Sequence, residues 1–236
     1  MRLDKYISDS AAYSRREIKK LIRAGAVTVN GETAKAAEQR VAETDEVRIN
    51  GAAVRYKRFV YLMLNKPAGY VSATEDRHYP VVTGLVPEEY RHFDVSPVGR
   101  LDIDTEGLLL LTNDGEFNHA MTSPSKNVYK KYFARLDKPA EENDIEAFAA
   151  GMEFKDFTAR PARLEICADA HEAYVEIAEG KFHQVKRMFE RVGKTVVYLK
   201  RVAVGGLALP EELSSGSVRE YTIDELNSLI KGENNS

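Results

Sequence analysis

The chain is poor in the residues that build stapled or metal-clustered proteins. It has one cysteine, Cys167, in 236 residues, and no tryptophan. A single cysteine excludes an intramolecular disulfide and argues against a cysteine-based zinc site. No apolar run reaches the ~18 residues of a membrane span, and the start, "MRLDKYISDS", is charged where a signal peptide requires an apolar stretch. These absences point to a cytoplasmic protein with no membrane association. There is also no Rossmann fingerprint and no phosphate-cradling P-loop, which removes the common dinucleotide and nucleoside-triphosphate chemistries. An overall basic charge is missing too: the formal net charge is −3.

What is present is an ordinary globular mixture, 43% hydrophobic and 30% charged, with material for one sizeable domain or two smaller ones. The net charge hides its distribution. Residues 1–58 hold 13 Lys/Arg against 8 Asp/Glu, and residues 181–201 hold 7 Lys/Arg against Glu190 alone. Two basic islands on an acidic chain suit local contact with a polyanion.

In the first island, Ser14 and Glu17 form a capping-box pattern that starts a helix. Ile18, Leu21 and Ile22 recur at helical spacing, and Gly25 ends it. "VTVNGETA" alternates around Asn30-Gly31, a strong hairpin signal, and "DEVRING" adds a short strand. Arg15, Arg16, Lys19, Lys20 and Arg23 fall away from the apolar stripe. On an isolated helix such a face is more often merely solvated than phosphate-binding.

Beyond a basic joint at 54–59, "VYLMLNKPAGYVSA" (60–73) has a β-rich start followed by Pro67 and Gly69, a strand–turn–strand pattern. Further strand-like segments fall at 93–98, 107–112, 129–136, 161–167, 172–178 and 195–204. Helical patterns fit 116–121, 141–150, 181–192 and 222–231. In "HQVKRMFERV", Val185, Met188, Phe189 and Val192 follow the i, i+3, i+4, i+7 pattern. Strands without regular βαβ alternation predict an α+β fold on a mixed, mainly antiparallel sheet. The predicted organisation is a small domain at 1–57, a larger one at 58–231, and a disordered tail at 232–236.

"GRLDIDTEGLLLLTNDGEF" (99–117) sets three aspartates beside an apolar run. A loop aspartate usually holds a turn or caps a helix. That reading suits Asp104, three residues before Gly107, and Asp114, which precedes a helical pattern. Gly99 lets the chain turn closely and Leu101 can anchor the loop, so "VGRLD" reads as a rigid mount for Asp102.

Taken in order, "RLDKYI", "SRREIKKLIRAGAVTVNG" and "DEVRING" resemble the S4 RNA-binding domain. "NKPAGYVSA", "GRLDIDTEGLLLLTNDG", "KKYFARL" and "EGKFHQVKRMFERVGKTVVYLKRVAVGGL" resemble the family of ribosomal pseudouridine synthases. His183, where large-subunit relatives usually carry Arg, draws the chain towards the small-subunit branch. The resemblance implies isomerisation of uridine 516 of 16S rRNA, acting on free rRNA or on a small-subunit assembly intermediate, by a monomer without cofactor or metal. It implies that Asp102 is the catalytic carboxylate, that Tyr132 lies against the uracil, and that Lys186 pairs with Asp102, with Arg187 the next candidate. The RNA contacts implied are Arg2, Lys5, Arg15, Arg16, Lys19 and Arg23 in the first domain. In the second they are Arg100, Lys130, Lys131, His183, Arg187, Lys200 and Arg201.

Converting uridine to pseudouridine breaks N1–C1′ and joins C5 to C1′, with no electrons added and no group brought in. A carboxylate near the sugar can attack C1′, attack C6 of the base, or take the C2′ proton. The residues leave that choice open. The competing readings are a large-subunit rRNA target, a non-catalytic RNA-binding protein, and a two-carboxylate hydrolase using Asp102 and Asp104.

Overall fold

A computed structural model describes residues 1–123 and 127–231; the tail expected at 232–236 lies outside them. The chain divides into two compact units, Met1–Val60 with Val86–Asp94, and Tyr61–Leu85 with the chain from Val95 onward.

The first unit begins with α1 (Leu3–Ser10) and α2 (Arg15–Arg23), followed by β1 (Val27–Val29), β2 (Glu32–Thr33), β3 (Val47–Ile49) and β4 (Ala52–Val54). Ser14 and Glu17 make the reciprocal capping box at the start of α2. The β1–β2 and β3–β4 turns are Asn-Gly pairs with positive φ at both residues, 50° and 84° at Asn30-Gly31 and 50° and 82° at Asn50-Gly51. Such turns match the twist of the strands they join. The four strands form one antiparallel sheet in the order β2-β1-β3-β4. Leu3, Tyr6, Ile7, Ile18, Ile22, Val27, Val29, Val47 and Ile49 close a separate small core. Burying Ile18 and Ile22 leaves Arg15, Arg16, Lys19, Lys20 and Arg23 exposed, lining one concavity of about 490 Å³.

The second unit is built on β5 (Tyr61–Lys66), β6 (Ser96–Pro97), β7 (Glu106–Thr112), β8 (Lys130–Leu136), β9 (Met152–Glu153), β10 (Thr158–Ala159), β11 (Arg163–Ile166), β12 (Glu172–Ile177), β13 (Val196–Val204), β14 (Leu207–Ala208) and β15 (Val218–Tyr221). Its helices are α3 (Gly115–Thr122), α4 (Glu142–Ala150), α5 (Gln184–Arg191) and α6 (Ile223–Lys231). Nine strands form the main sheet, in the order β11-β12-β8-β13-β7-β5-β15, with β14 beside β13 and β6 beside β7. Among the described residues every pairing in it is antiparallel except β13 with β7. The α+β, mainly antiparallel expectation is therefore met.

The run Leu108–Leu111 in β7 is buried throughout, as are all six residues of β5. Continuous apolar sequence is what a strand covered on both faces requires. Asp114 caps α3 by accepting from the backbone N–H groups of Glu116 and Phe117, and it also accepts from the Tyr61 hydroxyl at 2.6 Å. On α5, Val185, Met188 and Phe189 are buried, the latter two completely. That packing presents the start of the helix towards the loop before β7.

Candidate active site

Asp102 stands on the loop that enters β7, and the "NKPAGYVS" segment holds that loop from below. Ser72 Oγ donates to the Leu101 carbonyl at 2.9 Å and accepts from the Leu101 N–H at 3.0 Å. The Gly69 N–H donates to the Ile103 carbonyl at 2.7 Å. Beneath both, the Lys66 ammonium is fully buried. It donates to the carbonyls of Thr105 (2.8 Å), Pro67 (3.1 Å), Asp102 (3.1 Å) and Ile103 (3.3 Å). An ammonium has three N–H donors, so four carbonyls share them and the turn closes around one charge. Gly99 has φ +73°, a value only glycine adopts without strain, and Leu101 is buried as the anchor. The backbone of the loop is fixed and its carboxylate is left facing a cavity.

Tyr132 and Lys186 reach the same cavity from β8 and α5. It is small, about 60 Å³, and its lining includes Asp102, Tyr132, His183 and Lys186. Lys186 Nζ is 3.5 Å from Asp102 Oδ2 and 2.6 Å from Asp104 Oδ1. His183 Nε2 lies 3.7 Å from Asp102 Oδ1. Asp104 is thus a second partner of Lys186, where the sequence suggested a turn-holding acid. Partial burial raises the Asp104 carboxyl, but the Lys186 hydrogen bond and charge outweigh it, leaving a net lowering. Arg187, one position further round the helix, points elsewhere. It donates to both carboxylate oxygens of Asp156 and lies over the rings of Phe154 and Phe157. The 100° step between helical neighbours separates the two cations.

A larger cavity of about 290 Å³ also borders Tyr132, with Arg100, Lys130, Lys181 and Arg201 among its lining residues. Asp102, Tyr132 and Lys186, which the sequence motifs name together, line one cleft. The family model for RNA pseudouridylate synthase matches residues 60–191, and that for the S4 domain matches residues 1–47. The chain belongs to the RNA pseudouridine synthase family. It is 45% identical to an uncharacterised RNA pseudouridine synthase of Bacillus subtilis, covering 97% of this chain and 98% of that one. It is 38% identical to ribosomal small subunit pseudouridine synthase A of Escherichia coli, covering 98% of this chain and 100% of the relative. A solved pseudouridylate synthase structure superposes with a TM-score of 0.68 at 36% identity, covering 97% and 99% of the two chains.

The remaining cations of the synthase fall into different settings. Lys130 shares the Tyr132 face of β8 and borders the larger cavity, where burial, then Arg201, lowers its pKa. Lys131 alternates to the opposite face, 3.6 Å from both Glu165 and Glu176 and above the Tyr174 ring. Arg201 is buried inside β13, its Nε donating to the Leu108 carbonyl at 2.7 Å, and it lines the larger cavity. Lys200 is half-buried beside it. Arg2 is bound to Asp4 through Nε (3.0 Å) and Nη2 (2.8 Å) and reaches Glu38, whereas Lys5 is exposed. Among the described residues no group of three or more His, Cys, Asp or Glu side chains is arranged to hold a metal.

Lys66 is the site residue that the sequence did not disclose. Its signal was a lysine ending a strand whose first four residues, Tyr61 to Leu64, are apolar. Replacing it with Met removes the shared ammonium from four carbonyls, of which those of Ile103 and Asp102 keep the N–H groups of Gly69 and Thr105, and each buried group left unsatisfied costs about 1–3 kcal/mol. The Lys66→Met protein is expected to unfold at lower urea concentration and to lose turnover more than RNA affinity. The deficit carries a pH signature. Burial holds the Lys66 ammonium down at about 8, from 10.5, despite the opposing charges of Asp104, Asp102 and Glu106. Between about 8 and 10.5 the unfolded chain therefore binds a proton that the native one has released, and native stability rises with pH there. The gap between wild type and Lys66→Met should widen across that window. A gap unchanged from pH 7 to 10.5 would contradict the depressed ammonium.

Proposed function

We propose that this synthase converts one uridine of 16S ribosomal RNA, by resemblance uridine 516, to pseudouridine, with Asp102 as the catalytic carboxylate and no bound cofactor. The observation that carries the reading is the Asp102 carboxylate on a pinned loop. Lys186 supplies countercharge at 3.5 Å, and Tyr132 lines the same cleft. The reaction moves a glycosidic bond within one nucleotide, so it needs neither an electron carrier nor a donor group. The cleft must hold the base while the N1–C1′ bond is open, and a flat tyrosine face suits that task. C1′ and the ring faces are shielded in folded RNA, so the uridine leaves its stack to enter.

The small-subunit target is supported by the full-length likeness to relatives named ribosomal small subunit pseudouridine synthase A in Escherichia coli and Haemophilus influenzae. In the first unit, the exposed cations of α2 would grip the RNA backbone, a sequence-independent contact that positions the substrate. The reading includes a monomeric enzyme working in the cytoplasm on free rRNA or an assembly intermediate. Mapping pseudouridines in rRNA from cells with and without the gene is expected to show one position lost from the small-subunit RNA. A lost position in 23S rRNA would redirect the target to the large subunit. No lost position in either would overturn the ribosomal RNA target.

A further inference from the structure

Phe182 is an apolar side chain that packing does not explain. It is 71% exposed, yet it is not loosely placed. Its ring stacks on the His183 imidazole with centroids 3.8 Å apart and planes 18° from parallel. His183 holds a left-handed backbone conformation, φ +51°, uncommon for a residue with a Cβ and a form of strain that clusters at functional sites. That conformation ends the loop before α5 and puts His183 Nε2 within 3.7 Å of Asp102 Oδ1.

The loop that carries the pair is tied down on both sides. Gln184 Nε2 donates to buried Glu179 at 2.9 Å, and Gln184 Oε1 accepts from the Lys181 N–H at 3.0 Å. Glu179 also accepts from the Arg160 N–H at 2.9 Å. Phe182 and His183 then line a third open cavity of the second unit, about 360 Å³, together with Asp102, Arg100, Lys181 and Ile103. An aromatic face flanked by cations is the arrangement by which proteins hold unpaired bases: stacking takes the ring and the cations take the backbone.

We propose that the Phe182–His183 stack is a platform for the RNA base adjoining the target uridine. When that uridine leaves its stack, its neighbour loses a stacking partner. Phe182 supplies a replacement at the cavity mouth, and His183 beneath it sets the platform within 3.7 Å of the Asp102 carboxylate.

The proposal rests on the proposed function, so the tests separate the two. Wild-type tritium release from C5-labelled, prefolded small-subunit rRNA is measured first, and its absence overturns both. Given release, Phe182→Leu, which keeps apolar bulk but has no π face, should lose about tenfold in kcat/KM, and Phe182→Tyr should recover it. In Asp102→Asn protein, 5-iodouridine placed on either side of the target should photocrosslink to Phe182 from one of the two positions. Wild-type kcat/KM for Phe182→Leu, or crosslinks from both positions that miss Phe182, would overturn the platform and leave the chemistry standing.

Discussion

Asp102→Asn protein is expected to bind its rRNA with wild-type affinity and to release tritium from C5-labelled uridine only at background. Joining C5 to C1′ displaces the C5 hydrogen, so label appears in water once per turnover. Asparagine keeps the shape of the side chain but is neither an anionic nucleophile nor a base. All three routes open to this carboxylate fail together: attack at C1′, attack at C6 and removal of the C2′ proton. The mount should survive the change, because Ser72, Gly69 and Lys66 hold the loop through backbone atoms of residues 101–105. Asp104→Asn serves as the comparison on the same loop. Its side chain is 66% exposed and its partner is Lys186, which stays within reach of Asp102. A few-fold change in rate is expected. Lys186→Met removes the cation from both aspartates and should cost turnover far more than binding, since a catalytic carboxylate then stands without countercharge. Tritium release by Asp102→Asn beside an inert Asp104→Asn would reverse the assignment.

Which parts of this site were legible in the sequence follows from how local their causes are. The α2 capping box, the Asn30-Gly31 hairpin and the apolar stripe of α5 are set within a few residues, and the structure has them where the pattern put them. The first helix was not read from the sequence. Leu3, Tyr6 and Ile7 lie at i, i+3 and i+4 and are all buried, but the segment is short and its cap makes no side-chain hydrogen bond. What sequence could not supply was direction. Lys130 and Lys131 are adjacent and equally basic, and only the pleat of β8 separates a cavity cation from one paired with Glu165 and Glu176. Lys186 and Arg187 pose the same problem on a helix. Lys66 was hidden for a further reason. Its partners are four backbone carbonyls, three of them more than thirty residues away, and carbonyls have no signature in sequence.

The second large effect is structural and lies one strand-step from Lys66. Gly107→Ala should lower stability by about 3–5 kcal/mol, combining left-handed backbone strain with overpacking against main chain. Gly107 has φ +100° and sits between Lys66 of β5 and Arg201 of β13. A Cβ there would stand 2.2 Å from the Arg201 carbonyl oxygen and 2.9 Å from its nitrogen. Neither atom can swing aside, because both belong to a strand already paired with β8. The β7–β13 pairing is the sole parallel one among the described strands of the sheet. It sets the loop carrying Asp102 against the strand beside Tyr132. Opening it should therefore abolish turnover in whatever protein remains folded. Gly115→Ala is the internal control: it begins α3, has an ordinary φ and meets nothing within 4 Å. There the smaller loss of unfolded-chain freedom should leave stability unchanged or raise it by up to about 1 kcal/mol. Urea titration of both proteins decides the point. A Gly107→Ala stability, taken from midpoint and slope, within about 1 kcal/mol of wild type would mean that β7 and β13 do not approach as closely as Gly107 permits.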